Sequence, residues 1–182
     1  MEQNSTPSSV LRRIHNLDVR AFSWLLERYL CDQMVRLARL VSRSADGFCY
    51  AIVGVAALAL GGADGQTLFL ALALAFAIER PLYQLLKKGF KRRRPANILP
   101  GFSAVIIPSD YFSFPSGHTS GAFLFATALI VVFPAAYPLA YLWAVAVGFS
   151  RIFLGVHFPT DTLMGALLGT GCALLSLSLL AV

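Results

Sequence analysis

Read for its apolar and polar positions, the chain alternates long uncharged stretches with short polar islands. Phe48 to Gly62 is uncharged, and a second apolar segment runs from about Thr67 to Leu86. From Tyr111 to Ser150 there are 40 residues without Asp, Glu, Lys or Arg. A helix needs about 20 residues to cross the roughly 30 Å hydrocarbon layer, so this run is too long for one crossing. The sequence "FPAAYP", with Pro134 and Pro138, is its natural break, giving spans near Thr119–Phe133 and Leu139–Phe149. Thr162 to Val182 is again uncharged. The pattern predicts an all-α integral membrane protein, a bundle of about five transmembrane helices.

Ahead of these spans, residues 17–43 are two-faced. Phe22, Leu25, Leu26, Met34, Ala38 and Val41 recur at helical spacing, while Arg20, Glu27, Arg28, Asp32, Arg36 and Arg39 fill the other side. That much charge does not suit a crossing. It suits an amphipathic helix lying in the membrane interface. Residues 1–16 are expected to form a flexible polar tail, and residues 17–182 a single membrane domain with its helical core at 48–182. The polar start has no apolar core of a cleavable signal peptide, so the first span is expected to do the targeting.

Composition agrees with this choice of solvent. Hydrophobic residues make up 57% and charged residues 13% of the 182, against roughly 25% charged in average soluble proteins; mean hydropathy is +0.69. The net charge of +6 is concentrated: seven of fifteen Lys and Arg precede residue 44, and six lie in "KKGFKRRR", Lys87 to Arg94. With no soluble domain to present a nucleic-acid surface, the partners implied are anionic lipid headgroups and phosphate, not nucleic acid. Cys31, Cys49 and Cys172 are odd in number and widely spaced, which excludes a disulfide framework or a metal-ligand pair.

Counting crossings brings three islands together. The second span ends at the basic cluster, a loop leads to the third, and the third and fourth cross out and back. "KKGFKRRRP", "PSGH" and "SRIFLGVHFPTD" therefore share one membrane face. Arg and Lys clamp the oxygens of a transferring phosphoryl group, and Gly117 before a helix start offers backbone N–H groups to the same anion. His157 and Asp161 are four apart around Pro159, a spacing that brings them to one side. His157 then reads as an oriented nucleophile with Asp161 as its orienter, leaving His118 as general acid.

These residues carry a resemblance. Lys87 with Arg94-Pro95, then Pro115-Ser116-Gly117-His118, then Ser150-Arg151 with His157 and Asp161 match, in order, the three-part signature of the type 2 phosphatidic acid phosphatases. The chain resembles the small bacterial members of that lipid phosphate phosphatase family. The resemblance implies that Lys87, Arg94 and Arg151 hold phosphate with Ser116 and the Gly117 backbone. It further implies that His157 forms a phosphohistidine supported by Asp161, that His118 protonates the leaving group, and that neither metal nor other cofactor takes part. Water then completes the hydrolysis.

Other charged residues read more plainly. Lys88, Lys91, Arg92 and Arg93 are expected to meet headgroups, Asp110 and Tyr111 to be solvated loop residues with contact to substrate as the alternative, and His15 to be solvated. Glu79 and Arg80 lie inside a span, where ionised groups are paired or functional. Either Glu79, Tyr83 and Lys87 form a supporting stripe, or Glu79 pairs locally and Arg80 snorkels. The expected substrate is a membrane lipid phosphate, with undecaprenyl diphosphate ahead of phosphatidylglycerophosphate, phosphatidic acid and lipid A phosphates. The other classes weighed are a lipid phosphotransferase using the same residues and a scaffold with a decayed site. The basic active face is cytoplasmic by the positive-inside rule; the family resemblance implies an extracytoplasmic site in the inner membrane, and this is the expectation adopted.

Overall fold

The computed structural model describes residues 9–182 except residue 109. It is built of helices and loops, with no strand among the described residues. The expected tail falls partly outside this range, and residues 9–16 are not tail but the start of α1 (Ser9–Tyr29). The single interfacial helix expected over 17–43 is in fact two, α1 and α2 (Asp32–Arg43), because Cys31 is extended at φ −145° and ψ 166°. Phe22 of α1 is buried against Ile152 and Phe158, and Ala38 of α2 against Phe153, Leu154 and Val156. Arg20, Glu27, Arg28, Arg36 and Arg39 face outward. The two-faced pattern thus cradles the turn that follows the fourth apolar stretch.

Five apolar helices follow: α3 (Gly47–Leu60), α4 (Gly62–Phe90), α5 (Gly117–Val132), α6 (Tyr137–Phe153) and α7 (Pro159–Leu179). Each starts where the sequence has Gly or Pro. A 3-10 turn at Pro134–Ala136 separates α5 from α6, at the break read from the two prolines. Three helices, α4, α6 and α7, are long and apolar enough to cross a membrane, and α2 with α3 forms a further pair bent by 48°. α5, at 16 residues, is apolar but shorter. An all-helical membrane architecture is therefore what the chain adopts.

The tightest packing is between α5 and α7, which run side by side in the same direction. A Cβ added to Gly165 would sit 2.5 Å from the Ser116 carbonyl oxygen, and one added to Gly169 would sit 2.0 Å from that of Ser120. Glycines four apart let two backbones approach where lipid supplies no hydrophobic drive between helices. Below this contact, Leu124 and Ala128 of α5, Cys172 and Leu177 of α7, and Leu68 and Ala75 of α4 share one buried cluster. Cys172 is a free thiol buried in this cluster as apolar filler. The Ser176 hydroxyl, also buried, donates to the Ala71 carbonyl at 2.8 Å.

Because Gly169 meets backbone, Gly169→Val should lower stability by about 1–3 kcal/mol, the usual range for overpacking. Gly171→Val, where an added Cβ meets nothing within 4 Å, should leave it unchanged. Thermal unfolding in detergent compares the two; equal melting temperatures would contradict the close α5–α7 contact.

Candidate active site

The three islands meet at one end of the bundle. Lys87 lies in the last turn of α4, Arg94 three residues beyond its cap, His118 in the first turn of α5 and Arg151 in the last turn of α6. Asp161 lies in the first turn of α7. The Ser116 backbone N–H donates to the Asp161 carbonyl at 2.9 Å, fastening the second island to the third. Arg94 Nη1 donates to the Val156 carbonyl at 2.6 Å and stands 3.5 Å from His157 Nε2, fastening the first to the third.

A cavity of about 580 Å³ opens here, lined at its polar end by Arg94, Gly117, His118, Arg151 and His157. Lys87, Ser116 and Asp161 are brought to the same place but stand behind that surface. Ser116 is fully buried, and its hydroxyl accepts from Thr119 at 2.9 Å. Gly117 has to be small, since a Cβ there would meet the Tyr83 ring at 3.1 Å. Among the described residues no three His, Cys, Asp or Glu side chains form a metal-ligand group.

His157 is 3% exposed. Burial pushes its imidazole down to about 4, with Arg94 and Arg151 adding to the effect and Asp161 opposing it. The ring is therefore neutral at neutral pH and keeps a nitrogen lone pair for chemistry. Nδ1 lies 3.8 Å from Asp161 Oδ2, beyond hydrogen-bond length, and has no hydrogen-bond partner among the described residues. Arg151 Nε is likewise unpartnered, although its Nη1 donates to Ser42 at 2.5 Å. A buried arginine lining the cavity with a spare donor suits an anion.

Four acidic or basic partners were not read from the sequence in these roles. Asp110 is not a solvated loop residue: its carboxylate accepts from Lys87 Nζ at 2.7 Å and from Arg94 Nη2, while its carbonyl accepts from Arg94 Nε at 3.1 Å. Burial opposes its ionisation, but the two cations outweigh that and hold it below the usual carboxylate range. Asp46, just ahead of α3, stands 3.1 Å from His118 Nε2 and gives that ring the carboxylate it lacks nearby in sequence. Arg92 is turned inward instead of toward headgroups. It donates to Asp161 Oδ1 at 2.8 Å and to Asp18 Oδ2 at 2.5 Å, with its guanidinium 4.5 Å from the Phe158 ring centroid.

Asp18, on α1, also accepts from the Thr160 backbone N–H at 3.0 Å and from its hydroxyl. The interfacial helix is thereby tied to the start of α7. Lys88, Lys91 and Arg93 are exposed. The stripe on α4 divides: Tyr83 does meet Lys87, whereas Glu79 turns to Ser120 at 2.6 Å and to its neighbour Arg80 at 2.5 Å.

Fold and site together define a membrane-embedded helical bundle with a cationic, histidine-bearing cavity at one face. The sequence model of the PAP2 superfamily matches residues 66–181, and the chain belongs to that family. It is 32% identical over 132 residues to an undecaprenyl-diphosphatase of Sulfolobus acidocaldarius, covering 71% of this chain and 64% of that one. It is 37% identical over 111 residues to phosphatidylglycerophosphatase B of Bacillus subtilis, covering 55% and 52%. The matches thus span between half and two thirds of these relatives' own length. Among solved structures, the PAP2-type phosphatidylglycerolphosphate phosphatase of Bacillus subtilis superposes with a TM-score of 0.73 at 26% identity, covering 92% of this chain and 86% of that one. Aquifex aeolicus LpxE superposes with a TM-score of 0.74 at 28% identity, covering 89% and 95%.

Arg92→Gln removes the shared partner of two buried carboxylates. Breaking such a set costs about 3–5 kcal/mol of stability, and a misplaced Asp161 should lower kcat by about 10²-fold with KM little changed. Steady-state kinetics of folded protein check this; an unaltered kcat would contradict the positioning of Asp161 by Arg92.

Proposed function

We propose that the chain hydrolyses a phosphate monoester or diphosphate on a membrane lipid through a phosphohistidine, without a metal. The observation that carries this reading is the state of His157: buried, neutral and at the cavity wall, with one nitrogen beside Arg94 and the other facing the Asp161 carboxylate. In the proposed reaction Arg94 and Arg151 hold the phosphoryl oxygens, Lys87 joins them once Asp110 releases it, the Gly117 backbone completes the seat, and Ser116 fixes the start of α5. His157 Nε2 attacks phosphorus. Asp161 stabilises the imidazolium that forms, and the bond to the leaving oxygen breaks as His118 protonates it. Water then attacks the phosphohistidine and releases inorganic phosphate.

Asp46 fits this scheme as the group that orients the His118 ring. Asp110 fits as the counter-charge of Lys87 and Arg94 when no phosphate is present. It has to yield both cations when substrate arrives.

The substrate we favour is undecaprenyl diphosphate. The relative named for that activity supports this choice, as does a cavity with a polar end and apolar walls from α3 and α4. Phosphatidylglycerophosphate is the second candidate, favoured by the other relative and by a superposed structure of that name. Transfer of the phosphate to a second lipid would use the same residues and differ only in the acceptor.

Purified protein given undecaprenyl diphosphate, phosphatidylglycerophosphate and phosphatidic acid with EDTA present should release phosphate fastest from the first, and His157→Ala should not. Preference for phosphatidylglycerophosphate would overturn the substrate choice; a phosphorylated lipid acceptor in place of free phosphate would overturn hydrolysis. The extracytoplasmic face we propose for the site is read in the same assay. Intact cells should hydrolyse added farnesyl diphosphate, and release only after lysis would put the site inside.

A further inference from the structure

Arg80 is a cation inside a long apolar helix, where an ionised side chain is costly and is kept for a reason. Its partner Glu79 is fully buried, but Arg80 is not: 49% of its side chain is exposed and it lines the same cavity as Arg94, Arg151, His118 and His157. Only its Nε is engaged, by Glu79 Oε2 at 2.5 Å; neither Nη nitrogen makes a hydrogen bond to the described residues. Glu79 is itself held by Ser120 of α5 at 2.6 Å. The guanidinium is therefore anchored at one edge and free at the other, toward the cavity.

Its height in the bundle is informative. Arg80 precedes Lys87 by seven residues on α4, a rise of about 10 Å along the helix, on the side away from the basic island. Yet both cations rest on one ring. Arg80 Cζ is 4.9 Å and Lys87 Nζ 4.5 Å from the Tyr83 centroid, so the two cannot be farther apart than those distances combined. Beyond Arg80 the cavity is walled by apolar side chains such as Ala51, Val55, Phe69 and Leu72. A lipid whose reacting phosphorus sits at His157 and whose chain enters that apolar half passes Arg80 with the atoms in between.

For a monoester those atoms are an uncharged alcohol oxygen and its linker. For a lipid diphosphate they are a second phosphate. We propose that Arg80 is a second anion seat, which binds the lipid-proximal phosphate of a diphosphate substrate and so favours diphosphates over monoesters. The inference rests on the lipid phosphatase reading above. When His157 Nε2 bonds to the terminal phosphorus, the bond from that phosphorus to the bridging oxygen breaks, its electron pair moves onto the lipid monophosphate, and His118 passes its proton to that oxygen as the charge builds. The free Nη groups of Arg80 meet that added negative charge on the leaving side, so the stabilisation grows toward the transition state.

The test uses two substrates with the same chain, farnesyl diphosphate and farnesyl phosphate, in mixed micelles with purified full-length protein. Arg80→Gln should lower kcat/KM for the diphosphate at least tenfold relative to the monophosphate, and Arg80→Lys should recover part of that ratio. Because Arg80→Gln leaves Glu79 without its ionic partner, the double variant Glu79→Gln/Arg80→Gln is measured beside it and should show the same change in ratio. An equal fall on both substrates, or no change in the ratio, overturns the inference while the phosphatase reading stands. Failure of the wild-type protein to release phosphate from either lipid overturns the reading and the inference together.

Discussion

The arrangement at the active face depends on one buried carboxylate. Asp161 is fully enclosed at the first turn of α7, and an ionised group there must be compensated on every side. Its Oδ2 caps the α7 terminus by accepting the Phe158 N–H at 2.8 Å, and its Oδ1 takes Arg92. Its backbone carbonyl takes the Ser116 N–H, and its side chain faces His157. The basic island, the turn into α5 and the histidine turn are thus joined through one residue. The close contact of α5 with α7 at Gly165 and Gly169 brings the Ser116 amide to it.

The second organising feature is the balance of cations against carboxylates around the cavity. Lys87 and Arg94 share Asp110, Arg92 shares Asp18 and Asp161, and Arg80 leans on Glu79. Arg151 has no acidic partner among the described residues and keeps an unused Nε at the cavity. In a membrane domain unpaired charges are costly, so the carboxylates are what allow so many cations to stand together. Asp110, on a loop, is half-buried, whereas Asp18, Glu79 and Asp161 are buried.

Much of this could be read from the chain, for identifiable reasons. Uncharged runs bounded by Pro and Gly locate the apolar helices, and the four-residue step from His157 to Asp161 survives because it lies in a tight turn leading into a helix. What could not be read is carried by contacts between distant residues. Arg92 differs from Arg93 only in which way it points, and that is set by Asp18, an acid on an amphipathic helix seventy-four residues earlier, and by Asp161. Asp46 and Asp110 look like ordinary loop acids until the fold sets them against His118 and against Lys87 with Arg94. The division of the interfacial segment at Cys31 leaves no mark in composition, because its apolar spacing continues across the break.

In the proposed reaction His157 becomes phosphorylated during turnover. Rapid alkaline quenching of the purified protein mixing with terminally ³²P-labelled farnesyl diphosphate, followed by peptide mapping, tests it directly. A transient, base-stable and acid-labile label on His157, forming and decaying at rates compatible with turnover, is the expected result. Label on another residue, or turnover with no protein-bound phosphate at any time, would contradict it.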